Sequence, residues 1–162
     1  MQAADVIRLG LAASRSVWER ALRPDGAPTG PIPEVPRPQL LWRPAPGSHS
    51  VGKLLWHIAD AEDRFVTQLI YGREFNPPFA IQSLDAEDDL IPTWDEIMDY
   101  LQKTRARTLE ALDDLADKLA EERSFFGRPS SIGGIFAIMI SHEASHAGQI
   151  AHIMGVVRRA GW

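Results

Sequence analysis

His142 and His146 stand four residues apart in a segment that a Ser130 or Ser131 cap opens and that runs to about Arg159. Four residues of helix turn through about 400°, so the two imidazoles project about 40° apart on one face. Ile135, Ile138, Met139, Ile153 and Val156 share that face, which reads as an inward stripe. A buried imidazole must find a partner. A metal ion shared by the pair supplies one, and satisfied core hydrogen bonds supply another. Spacing alone leaves both open.

His57 sits at the edge of an apolar helical face marked by Leu54, Ile58, Phe65 and Leu69, with Asp60 and Arg64 on its polar flank. Taken alone it reads as a helix residue with a local hydrogen bond. In a bundle, however, facing helices can each contribute ligands to one interior site. Three neutral imidazoles at about 2.0–2.1 Å suit a borderline divalent metal such as zinc or nickel and leave a coordination position open. His49 reads as a loop residue near a helix start. A continuing helix places His152 about 100° from the mean direction of the pair, on the surface or in interhelix packing. Gln149 falls about 20° from His142 and can orient a ligand, touch substrate or make a buried hydrogen bond.

Residues 142–146 read His-Glu-Ala-Ser-His, which matches the H-E-x-x-H pattern of zinc peptidases. The longer form of that pattern needs glycine at 149, where this chain has Gln149 and carries Gly148 one place early. The short form needs a downstream acidic ligand, and no Asp or Glu follows Glu143. A peptidase is therefore set aside, and Glu143 is expected to be an exposed helix residue. With no cysteine in the chain, disulfides, thiolate ligands and a cysteine nucleophile are all excluded. Any sulfur in the chemistry must arrive with a cosubstrate.

These residues need a scaffold, and the chain of 162 residues suits one domain with a single core. A net charge of −5 with scattered Lys and Arg gives no nucleic-acid surface. No apolar run has the length of a membrane span, and the N-terminal segment reads as mature helix, so a cytoplasmic protein is expected. Periodicity predicts four helices and no strand. The first covers residues 3–22 on Val6, Ile7, Leu11, Trp18 and Leu22. The second runs from Ser48 or Ser50 to about Tyr71. The third is opened by a Thr93/Glu96 capping box, with Ile97, Leu101, Thr108, Leu112, Leu115 and Leu119 as its core stripe. The last carries the histidine pair. Residues 24–46 hold eight of the twelve prolines and form a long crossover whose Leu40, Leu41 and Trp42 gain by packing on the bundle. The acidic run at 85–89 reads as a solvated loop. An all-α four-helix bundle follows.

Two segments, WRPAPGSHSVGKLLWHIADAE at 42–62 and SHEASHAGQI at 141–150, resemble the DinB/YfiT-like superfamily of helical proteins, and the resemblance extends over nearly the whole chain. It implies an up-down-down-up bundle, often dimeric, that binds a divalent metal such as nickel or zinc. By it, His57, His142 and His146 match the three metal ligands, with Gln149 and Asp60 as supporting or substrate-contacting residues. Its better understood members are bacillithiol transferases and mycothiol-dependent isomerases. The resemblance thus implies a metal-dependent enzyme acting on a small molecule, most simply an S-transferase using an exogenous low-molecular-weight thiol. A hydrolase activating water and a non-catalytic bundle stapled by metal or binding a partner, as in a stress response, are the alternatives. The proline-rich first connection is longer than in a typical member.

Overall fold

The computed structural model describes residues 2–81 and 83–161. Each long helix starts at a polar cap. Ser50 accepts from the Lys53 amide at the start of α3 (Val51–Arg64). Thr93 and Glu96 form the reciprocal capping box of α4 (Trp94–Asp114), and Ser131 accepts from the Gly134 amide ahead of α5 (Ile132–Arg159). With α1 (Ala3–Leu22) these four helices make the bundle; a single turn, α2 (Arg37–Leu40), interrupts the crossover. The end of α3 widens into a π-helical segment, Phe65–Ile70, before the chain turns at Tyr71.

Side-chain pairings fix the directions. Ser14 meets Glu143 and Arg158 meets the Ala21 carbonyl, so α1 and α5 run parallel. Val51 and Leu54 share one core cluster with Trp94 and Ile97, and Phe65 and Leu69 share the other with Ala111 and Leu112, so α3 and α4 also run parallel. His57 meets His142, and α3 runs antiparallel to α5. The topology is up-down-down-up.

The crossover packs as its apolar residues require. Val35 and Leu40 are buried, and Leu41 and Trp42 lie against the core. Gly52 permits this approach: a Cβ there would come within 2.9 Å of Leu40 Cγ. The acidic run is not merely solvated, because Asp88 pairs with Arg43 and, at 3.5 Å, with the buried Lys53.

Four further expectations need correcting. Val6 is exposed rather than on the packed face of α1, and Ile138 is exposed on α5. Leu119 lies beyond the end of α4 and is half-buried. Where periodicity predicts no strand, the structure has a β-hairpin, β1 (Glu122–Phe125) paired antiparallel with β2 (Arg128–Ser131). Its two-residue turn is Phe126-Gly127, both at positive φ (47° and 81°), as a type I′ hairpin turn requires.

The apolar core is divided. One cluster gathers Trp18, Leu54, Ile58, Ile97 and Ile153; the other gathers Leu11, Phe65, Leu112, Ile135 and Phe136. Between them every bundle helix contributes buried polar groups: Ser14, Glu62, Arg105 and Glu143.

Candidate metal centre

The histidines sit beside this polar belt. One ring nitrogen from each of His57, His142 and His146 falls within a common span of 4.8 Å, and Nε2 of His57 lies 3.0 Å from Nε2 of His142. Two nitrogens bound to one tetrahedral ion at about 2.1 Å lie about 3.4 Å apart, so the donors already lie at the scale one ion needs. The His146 ring is fixed from outside the cluster: its Nδ1–H donates to Gln149 Oε1 at 2.8 Å, which leaves Nε2 as the nitrogen available to the cluster. Among the described residues no carboxylate joins the three rings.

Two of the rings are held neutral. Burial lowers His57 to about 3 from an ordinary 6.5, with help from His142, His146, His49 and Arg64. Burial likewise lowers His142 to about 4, with His146 adding to it and Glu143 opposing. Desolvation disfavours the imidazolium, and packing three such groups together disfavours it further. Neutral imidazole is the form that ligates a metal.

The inward stripe of α5 is not where periodicity placed it. Met139, Glu143, Ala147 and Ile150 face the core, and the two histidines lie half-buried on the flank toward α3. Glu143, expected on the surface, is 2% exposed. Its Oε1 accepts from Trp18 Nε1 at 3.0 Å, and its Oε2 accepts from Ser14 Oγ at 2.5 Å and from Arg105 at 2.7 Å. Arg105 also donates to both Glu62 oxygens at 2.8 and 3.0 Å and to the Leu11 carbonyl at 2.7 Å. Burial works against the Arg105 charge, yet the two carboxylates outweigh it and hold the guanidinium firmly protonated. Glu143 therefore faces away from the histidines and has no free proton-accepting role at them. His152 is exposed and lies outside the cluster, so the structure gives no support to the peptidase pattern.

A signal for the ion cluster was present in the sequence. Arg105 falls between Leu101 and Thr108, and Glu143 between Met139 and Ala147, so opposite charges interrupt the packed stripes of two helices.

Cavities flank the cluster on two sides. One, about 380 Å³, is lined by His57 and His142 themselves, with Trp56, Asp60, Phe65 and Phe126 among its walls. The other, about 490 Å³, is lined by His49, Gln149 and His152 but by none of the three clustered rings. Asp60 does not touch the histidines. One of its oxygens lies 3.5 Å from Arg64, and burial raises its pKa against the pull of Arg64.

The fold and the cluster together define a class: up-down-down-up helical bundles that bear a histidine group between their second and last long helices. The chain belongs to the DinB superfamily, a metal-binding group of helical proteins whose family model matches residues 32–150. A crystal structure of a DinB-like protein from Bacillus cereus ATCC 10987 superposes with a TM-score of 0.63 at 23% identity, covering 94% of this chain and 91% of that one. That likeness is one of fold. No curated protein matches the chain.

Proposed function

We propose that this chain is a divalent-metal-dependent enzyme acting on a small molecule, with His57, His142 and His146 as the ligands. The carrying observation is three imidazole nitrogens within 4.8 Å of one another, two of the rings held neutral by burial and open to a cavity. An all-nitrogen donor set of this kind fits zinc or nickel. When bound, the ion supplies Lewis-acid chemistry, and a thiol cosubstrate meeting it reacts as the thiolate. The chain's own residues hold the donors. The α3–α5 pairing sets His57 against His142, Gln149 orients His146, and the Arg105 cluster locks α5 beneath them. The chain contributes no cysteine, so the nucleophilic sulfur in this reading comes from a low-molecular-weight thiol, and the reaction is an S-transfer to an electrophile.

Elemental analysis of untagged protein tests the ligand set. Close to one equivalent of a transition metal should be retained or loadable by wild type and lost in His142→Ala. Less than a tenth of an equivalent under all loading conditions sinks the proposal. Turnover of bacillithiol or glutathione with a reactive electrophile, present in the loaded wild type and absent in His142→Ala, tests the reaction separately.

A further inference from the structure

The cavity beside His57 and His142 has walls of two kinds. Phe65, Phe126, Leu84 and Ala61 make an apolar surface, and Arg64 stands at one edge, its guanidinium 4.8 Å from the Phe75 ring. Trp56 and Asp60 line the same cavity. They are 2% and 6% exposed, and neither Trp56 Nε1 nor Asp60 Oδ1 has a hydrogen-bond partner among the described residues. A buried indole N–H and a buried carboxylate oxygen left unsatisfied each cost free energy. The two residues stand one helical turn apart on α3, on one face. Both atoms are themselves enclosed by protein, so what the cavity offers an occupant is its apolar walls.

Phe126 adds a second observation. Among the described residues it is the one non-glycine with positive φ, in a turn that favours asparagine or aspartate before glycine. A bulky residue there strains the backbone. Its ring is 65% exposed, so core burial does not repay that strain. The ring instead stands at the cavity wall, edge-on to Phe65 and Phe125 at 6.4 and 4.9 Å. A residue that strains its own turn to stand exposed at the mouth of a cavity is placed to meet whatever enters.

We propose that this cavity is the substrate pocket. It takes a planar, apolar-faced small molecule whose ring packs on Phe126 and Phe65. Phe126 is then a specificity-determining residue for the reaction proposed above. The assignment of this pocket to a substrate rests on that reading, whereas binding in the pocket can be measured without it.

The test titrates benzamide and cyclohexanecarboxamide into metal-free, nitrogen-15-labelled protein, following the Trp56 indole resonance, which Trp56→Phe identifies by its loss. Wild type should shift that resonance and bind benzamide at least about fivefold more tightly, the scale of a stacked aromatic contact. Phe126→Asn should bring the two affinities within twofold while melting no lower than wild type, because Asn-Gly suits the turn better. A benzamide titration that leaves the Trp56 resonance unmoved overturns the proposal. So does a Phe126→Asn protein that keeps the wild-type preference. Cobalt loading of the same samples reports on the three histidines alone, so failure of the metal reading and failure of the pocket are told apart.

Discussion

Residues 142–146 of α5 serve two regions of the molecule at one height of the bundle. Glu143 turns inward to Arg105, Glu62, Ser14 and Trp18, whereas His142 and His146 turn toward α3 and His57. Both regions place polar groups where water is scarce, but they settle the cost differently. Around Arg105 each buried charge faces its complement and each carboxylate oxygen has a donor, so the cluster is closed. Around the histidines the neighbouring groups are alike, two of the rings are held neutral, and their nitrogens can take a group from outside. A closed polar cluster fixes one packing of the bundle, and the open one beside it is free to do chemistry.

The contrast can be broken hardest on the closed side. Arg105→Met leaves Glu62 and Glu143 buried without their cation, and about 3–5 kcal/mol of stability should be lost in urea unfolding. Replacing all three charged groups by apolar residues of similar volume should return much of that loss. If Arg105→Met costs under about 1 kcal/mol, the cluster is not the lock described.

On the open side the ranking reverses. His142→Ala should weaken zinc or nickel binding by at least about 100-fold, read by competition with a chelator, while metal-free stability changes by less than about 1 kcal/mol. Gln149→Ala acts one shell further out. It removes the acceptor that holds the His146 tautomer and should weaken metal binding by about 10-fold, the lower end of such effects. An unchanged affinity would show that His146 is oriented by something else.

The last effect concerns acid. The unfolded chain protonates His57 and His142 near 6.5, but the folded metal-free chain does so only near 3 and 4. Below 6.5 the unfolded state therefore binds more protons, and stability present above that pH drains away as the pH falls toward 4. Urea melts at pH 7 and pH 5 should show a larger loss in wild type than in a His57→Ala/His142→Ala double variant. Equal losses would assign the acid sensitivity to other groups.

Much of this was legible in the sequence because helices announce themselves. The four long helices, the Ser50, Thr93 and Ser131 caps and the packed Leu40–Trp42 segment follow from period and capping chemistry. The pairing of His142 with His146 also follows from period, while His57 joined them only through resemblance, since no periodicity links residues on different helices. Glu143 was misread for a related reason. An amphipathic reading assigns charge to the surface, and the partner that permits burial, Arg105, lies 38 residues away on α4. The hairpin escaped because its strands are four residues long, β2 contains Pro129, and Phe126 replaces the usual turn residue. That last irregularity is also what marks Phe126 as a residue with a task.

The parallel pairing of α1 with α5 bears on how the chain is made. A helix emerging early in synthesis has its chief packing partner more than a hundred residues later, so Leu11 and Trp18 wait with their apolar faces uncovered until α5 arrives. The same delay governs the histidines. His57 leaves the ribosome well before His142 and His146, and no nascent chain short of α5 can gather all three. Assembly of the histidine cluster is thus timed by the last helix, and a chain arrested before residue 142 carries a single ring of the three.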